Sequence, residues 1–363
     1  MDTVTLLLFL SGFVLLVVGA DILVQGACGL AIAAGVSQLV IGLTIVAYGT
    51  SSPEIFVAVL SSWEGKSDLA VGNVVGSNIS NILLILGFSA VIAPLVVSRQ
   101  LVRLEIPLMI GISFLLMLMG IDGKLGKLDG LILCAGAVIY TFLTIYKSRQ
   151  ENQRSQSEAN QEQGNTSSNQ GFRQTLMQVG MIVIGMVMLL LGSGWLIDGA
   201  VKVAQILGVG ELIIGLTIVA IGTSLPELAT SVAATIRGER DLAVGNAIGS
   251  NIFNILLVLG LSGLIAPNGV IVPSPALHFD IPVMIAVAIA CLPIFFSGYR
   301  IARWEGFLFL GYYIAYTLYL FLHATEHNAL AAFSEIMLTF VMPLTVITLV
   351  IVALRAFNSN NSN

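Results

Sequence analysis

Two glutamates in this chain sit where a carboxylate is expensive. Glu54 closes the string Ala47-Tyr-Gly-Thr-Ser-Ser-Pro-Glu inside one apolar run, and Glu227 closes Ala220-Ile-Gly-Thr-Ser-Leu-Pro-Glu inside another. At membrane depth an acid costs at least about 2.5 kcal/mol, so it needs a partner or an aqueous path. The proline before each glutamate removes a backbone donor and clashes with the preceding turn, so Pro53 and Pro226 should break their helices. Gly49 and Gly222 should weaken the same turns. Carbonyls freed near Ala47, Thr50, Ala220 and Thr223 are tolerable in a bilayer only where they line a cavity or bind something. A cation would satisfy them.

A second pattern follows each glutamate. Asn73, Ser77 and Asn81 are spaced i, i+4, i+8 and fall on one helix face, and Asn246, Ser250 and Asn254 repeat the spacing. The combined set holds carboxylate, hydroxyl, amide and carbonyl oxygens, with no thiolate and no imidazole. Hard oxygen ligands suit Ca2+ and Na+ better than Zn2+ or copper. Two carboxylates balance one divalent charge, and several Na+ ions could use the same oxygens. The plainer reading is helix packing: Gly72-x-x-x-Gly76 and Gly245-x-x-x-Gly249 are spacings that let helices approach closely. That reading suits the glycines but leaves the two acids unexplained.

The elements that must carry these residues are membrane helices. Of 363 residues 57% are hydrophobic and 10% charged, with a mean hydropathy of +0.97; soluble domains carry roughly 25% charged residues. Charged or turn-rich breaks leave eleven candidate spans, near 4–35, 38–62, 68–94, 102–121, 128–147, 175–207, 211–235, 241–266, 277–296, 303–322 and 331–357. Several exceed the about 20 residues needed to cross a bilayer. The first has no basic leader or cleavage site and reads as a retained helix. Cys28, Cys134 and Cys291 lie far apart in apolar segments, without metal-ligand spacing or a disulfide framework. The net charge of −5 and the absence of a basic patch argue against a nucleic-acid partner. Nothing resembles a nucleotide-binding loop or catalytic triad, so the chain reads as no enzyme, needing no cofactor and driven by ion gradients.

Shifting the sequence by 173 residues lays 41–97 on 214–270 without a gap, with 35 of 57 positions identical. The expected organisation is a first repeat, 1–147, a disordered cytoplasmic linker, 148–174, a second repeat, 175–322, and an additional span, 331–357. Five helices per repeat is an odd number, so the second repeat enters the membrane from the opposite side, and the site belongs at the interface of inverted repeats. Charge gives the orientation. With the N-terminus outside, Arg99, Arg103, Lys147, Arg149, Arg154, Arg173, Arg237, Arg240, Arg300, Arg303 and Arg355 are cytoplasmic, as is the C-terminus. Only Lys66, Lys124, Lys127 and Lys202 then lie outside. Asp68 and Asp241 read as N-caps, Pro94 and Pro267 as helix stops, and Asp21 and Asp198 as solvated or helix-bonded. His278, His323 and His327 fall near outer boundaries without clustering.

The paired motifs GTSSPE with GNVVGSNISN and GTSLPE with GNAIGSNIFN resemble the α-repeats of the cation/Ca2+ exchanger superfamily, and most of all the prokaryotic Na+/Ca2+ exchangers. The resemblance covers spans one to ten. It implies an all-α polytopic fold of two inverted five-helix repeats, here with one more C-terminal helix, and residence in a prokaryotic plasma membrane. It implies a Ca2+ site of Thr50, Glu54, Thr223 and Glu227. Na+ or supporting ligands would come from Ala47, Ser51, Ser77, Asn81, Ala220, Ser224, Ser250 and Asn254. It also implies alternating access by sliding of spans one and six. Some relatives carry an acid where this chain has Asn81 or Asn254; asparagine at both weakens the case for K+ cotransport or a proton-carrying aspartate. The expected activity is Na+/Ca2+ exchange, as Ca2+ extrusion under the usual Na+ gradient. H+/Ca2+ antiport and a passive cation channel are the rival readings, though interrupted helices in inverted repeats suit alternating access better than a fixed pore.

Overall fold

The computed structural model describes residues 3–159, 172–207, 220–296, 298–348 and 350. Lipid offers no hydrogen bonds to a backbone, so each apolar run satisfies its own peptide groups as a helix. The helices are α1 (Thr3–Ala34), α2 (Gln38–Thr50), α3 (Ser52–Trp63), α4 (Ser67–Ile92), α5 (Leu101–Asp122), α6 (Lys127–Ala159) and α7 (Phe172–Ile206). After them come α8 (Ala220–Thr223), α9 (Leu225–Ile236), α10 (Arg240–Ile265), α11 (Ala276–Phe296), α12 (Arg303–Ala324) and α13 (Ala329–Thr348). Among the described residues nine helices are long and apolar enough to cross a membrane, and the bent pair α2–α3 makes a tenth span. The start of the expected span at 211–235 lies outside the described residues, as do the last residues of 331–357.

The expected boundaries hold to within a few residues, with two corrections. Asp68 and Asp241 are not N-caps: α4 starts at Ser67 and α10 at Arg240, so both acids lie in the first turn. There they meet the positive end of the helix dipole. The stretch 148–174 was expected to be structureless, yet α6 continues to Ala159. Its Lys, Arg, Gln and Glu residues are strong helix formers, and the membrane segment has already nucleated the helix they extend. Residues 160–171 lie outside the described residues.

Two short antiparallel ribbons tie the halves of the chain together. β1 (Leu95–Val96) pairs with β4 (Arg300–Ile301), and β2 (Lys124–Leu125) pairs with β3 (Val270–Ile271). A helix separates β1 from β2 and another separates β3 from β4, so the ribbons lie on opposite faces. Each joins one half of the chain to the other. Turns repeat as well. Gly65 and Gly238, 173 residues apart, end α3 and α9 in the left-handed conformation, φ 78° and 83°. A side chain would be strained at either position.

Burial shows which helices form the centre. In α4 and α10, 72% and 78% of the spanning stretch is buried, against 11% in α12 and none in α13. α1 and α7 pack antiparallel along the outside of this centre through small residues. A Cβ on Gly12 would lie 2.8 Å from the Gly192 carbonyl oxygen, and one on Gly185 would lie 2.7 Å from that of Gly19. α10 crosses α2 as closely, since a Cβ on Gly245 or Gly249 would meet the Leu39 or Leu43 carbonyl oxygen at 2.7 and 2.6 Å. The segment that would face Gly72 and Gly76 by the same symmetry lies outside the described residues.

Candidate ion-binding site

The breaks fall where proline predicts. α2 ends at Thr50, the chain turns 47° at Ser51, and α3 resumes with Pro53 in its first turn and Glu54 just behind it. Ser224 has the same backbone, φ −89° and ψ 7° against −78° and 10°, and Pro226 and Glu227 follow it into α9. Gly49 and Gly222 do more than loosen these turns. They leave room for Met186 and Ile197 of α7 to press close to the breaks.

Glu54 and Glu227 are both buried, each 1% exposed. Ser51, at the first break, donates to Glu227 Oε1 at 3.1 Å, which ties one half of the chain to the acid of the other. Ser77 of α4 donates to Glu54 Oε1 at 3.4 Å, and Ser224 donates to Ser77 Oγ at 3.5 Å. Thr50 donates to Asn246 Oδ1 at 3.1 Å and approaches the Ala47 carbonyl at 3.4 Å. Asn73 and Asn246 play a matching role, each donating to the backbone carbonyl of its nearby glutamate, Glu54 or Glu227, at 3.3 Å. These two amides support the breaks rather than adding free oxygens. Thr223 ends α8; Ala220 begins it.

What remains unsatisfied is informative. Glu54 Oε2, Glu227 Oε2, Asn81 Oδ1, Asn254 Oδ1 and Ser250 Oγ are buried without a hydrogen-bond partner among the described residues. A buried carboxylate or amide oxygen left unpaired costs about 1–3 kcal/mol, more when charged. Ser62, Ser89, Thr230 and Ser262 also have unpaired hydroxyls, but a hydroxyl can rotate toward its own helix backbone. The carboxylates and amides have no such escape. Their oxygens are hard, neutral or anionic acceptors, the set a desolvated Ca2+ or Na+ prefers. Among the described residues no three His, Cys, Asp or Glu side chains gather as a metal centre, and the three cysteines are free thiols.

π-turns mark the same region. Asn81–Leu86 in α4 and Asn254–Leu259 in α10 are π-helical, and each begins at the asparagine with the free oxygen. Such widened turns inside α-helices often occur at functional sites.

Other predicted residues stand apart. Asp21 of α1 pairs with Arg237 at 2.5 Å and accepts from Gln25 at 2.9 Å, so it is bound across the halves and not merely to its own helix. Asp198 is exposed. Sequence reasoning missed a second pair of acids, Glu105 buried and Asp280 half-buried. Tyr140 donates to Glu105 at 3.0 Å and Tyr316 to Asp280 at 2.9 Å, each acid closing a π-turn at the start of α5 or α11. The repeat offered no clue, since in the 173-residue register Glu105 falls on His278 and Asp280 on Pro107. It also missed Asn78 and Asn251, although both stand inside the duplicated GSNI.

A polytopic helical bundle with ribbons on opposite faces, broken helices and a buried two-carboxylate oxygen cluster defines a secondary ion transporter, not an enzyme. The family model described as "Sodium/calcium exchanger protein" matches residues 4–146 and 177–322. The chain belongs to that family, and is an integral membrane cation/Ca2+ exchanger. It is 40% identical over 315 residues to the putative antiporter CaxA of Alkalimonas amylolytica, covering 86% of this chain and 97% of the relative. It is 33% identical to the sodium/calcium exchanger MaX1 of Methanosarcina acetivorans, covering 88% and 99%. A solved structure of the sodium-calcium exchanger NCX_Mj, soaked with 10 mM Na+ and zero Ca2+, superposes with a TM-score of 0.74 at 31% identity, covering 86% of this chain and 98% of that one.

Proposed function

We propose that the chain exchanges Na+ for Ca2+ across the membrane, with Thr50, Glu54, Thr223 and Glu227 holding Ca2+. In this reading Ala47, Ser51, Ser77, Asn81, Ala220, Ser224, Ser250 and Asn254 supply Na+ or supporting ligands. One observation carries it: Glu54 and Glu227 are buried at matching helix breaks, each with one oxygen unpaired, and the positions that could add a further acid are the asparagines 81 and 254. Two carboxylates neutralise one Ca2+, and the same oxygens are left negative when Ca2+ departs. Na+ ions restore the balance. An empty, doubly charged site is costly at this depth, which couples loading by one ion to release of the other. Neutral amides carry no proton, which favours Na+ over H+ as the counter-ion. The relatives MaX1 and NCX_Mj, both called sodium/calcium exchangers, support the same choice.

Residues 1–147 and 175–322 act as the two repeats, and α1 and α7 slide across the centre to alternate access. Their glycine-to-carbonyl contacts present a smooth seam with few side chains to unlock. The β1–β4 face carries Arg99, Arg103, Arg300 and Arg303, while the other ribbon face has Lys124 and Lys127. This asymmetry supports a cytoplasmic arginine face, with the N-terminus outside and the C-terminus inside. The host is a prokaryotic plasma membrane, where an inward Na+ gradient drives Ca2+ out.

The test is Ca2+ uptake by vesicles holding the purified protein. Uptake should require an outward Na+ gradient, survive a protonophore and reverse when the gradient is reversed. Uptake that ignores Na+ and follows ΔpH would establish the H+/Ca2+ alternative instead. Glu54→Gln and Glu227→Gln should each abolish Ca2+ transport in the same vesicles, and full activity in either would remove the site assignment.

A further inference from the structure

The free oxygens of Asn81 and Asn254 point away from a small amide network at the centre of the molecule, and that network has a direction. Asn81 Nδ2 donates to Asn251 Oδ1 at 3.0 Å, and Asn254 Nδ2 donates to Asn78 Oδ1 at 3.1 Å. Asn251 Nδ2 in turn donates to the Met109 sulfur at 3.5 Å, and Asn78 Nδ2 to the Met284 sulfur at 3.4 Å. Asn78 Nδ2 also reaches the Asn251 backbone carbonyl at 3.3 Å. The two arms are equivalent, one running from α5 through α10 to α4 and the other from α11 through α4 to α10. All four asparagines are buried, at 1% exposure.

A thioether accepts hydrogen bonds and never donates them. The sulfur therefore requires the NH2 end of Asn251 or Asn78. That leaves the carbonyl end of the same amide facing the next asparagine, which must offer its own NH2. The last carbonyl oxygen, on Asn81 or Asn254, is left without a protein partner. Turning any one amide over would set oxygen against oxygen, or oxygen against sulfur, in a buried place where neither clash can be relieved by water.

We infer that Asn78 and Asn251 are positioning residues, fixing Asn81 and Asn254 with oxygen and not nitrogen toward the transported ions, and that Met109 and Met284 set the sense of each arm. The inference rests on the reading of Asn81 and Asn254 as ion ligands. Without the arm, a flipped amide would present N–H groups to a cation and repel it. The residues thus protect cation affinity without touching an ion.

The test is a mutant cycle read as the KM for Ca2+ in vesicles with a fixed Na+ gradient. Asn251→Leu should raise KM on the order of tenfold, as expected when one buried ligand turns away. A carboxylate has no wrong way round, so in an Asn81→Asp background the same Asn251→Leu change should add no further rise. A structural defect would persist in that background, and such persistence overturns the proposal, as does a wild-type KM for Asn251→Leu. If Asn251→Leu does not fold, Met109→Leu with Met284→Leu decides: volume is nearly kept, and KM should rise about threefold at unchanged thermal stability. An unchanged KM there overturns the proposal. Glu54→Gln serves as the separate control: if it still transports Ca2+, the site reading falls whatever the asparagines do.

Discussion

At the scale of single residues, the site is distinguished by oxygens that the protein leaves unpaired. Among the unpaired hydroxyls, Ser250 is the one that falls in the Asn246, Ser250, Asn254 motif. Its hydroxyl is buried and makes no hydrogen bond among the described residues. Ser250→Ala should therefore leave the melting temperature unchanged or slightly higher, whereas losing a paired hydroxyl costs about 1 kcal/mol. The same variant should need a higher Na+ concentration to drive Ca2+ uptake, measured by titrating Na+ in vesicles. A drop in stability with unaltered Na+ dependence would return Ser250 to a packing role. Tyr140 offers the contrast, because its hydroxyl satisfies the buried Glu105. Tyr140→Phe should lower stability by about 1–3 kcal/mol, seen as a lower melting temperature, while the KM for Ca2+ stays near wild type.

Between elements, the decisive contacts are backbone against backbone. Gly249 lies where α10 crosses α2, and it immediately precedes Ser250. A side chain there would press on the Leu43 carbonyl and on Ala47, the residue that opens the first motif. Gly249→Val should therefore force α2 and α10 apart. The expected result is both a lower melting temperature and a large loss of Ca2+ affinity, since Ser250 and Asn254 ride on the displaced helix. Gly12 and Gly192 sit in the α1–α7 seam instead, away from the glutamates. Enlarging one of these, as in Gly192→Val, should slow turnover more than it weakens equilibrium Ca2+ binding. Vesicle flux compared with isothermal titration of the detergent-purified variant separates the two quantities.

For the molecule as a whole, the two halves are joined at every level. Ribbons link them on both faces, Ser51 reaches Glu227, and Asp21 pairs with Arg237. α13 is outside this economy, for no residue in its spanning stretch is buried, although Tyr312 of α12 touches Thr345 through their hydroxyls. A chain ending after Glu326 should accordingly keep Na+-dependent Ca2+ uptake in vesicles. Loss of uptake with an intact melting curve would give α13 a part in the transport cycle.

Sequence alone determined the class of structure, the helix spans and the two breaks, because these follow from local physics: apolar length, and a proline that cannot continue its helix. It also determined that the halves match, since a 173-residue shift is visible without coordinates. Glu54, Glu227 and the hydroxyls around them were legible for the same reason, as polar residues that an apolar run cannot tolerate without purpose. Only the tertiary structure decided which half supplies the partner for each acid, as with Ser51 and Glu227, because that pairing depends on how the two halves cross. It likewise decided that Asn78 and Asn251 differ from Asn81 and Asn254. All four are buried asparagines on two repeated helices, and sequence singled out Asn81 and Asn254 by spacing but gave Asn78 and Asn251 no role. Whether an amide oxygen is spent on a neighbour or left for an ion depends on which residue faces it. Here that residue is a methionine from the other half of the chain, Met284 for Asn78 and Met109 for Asn251.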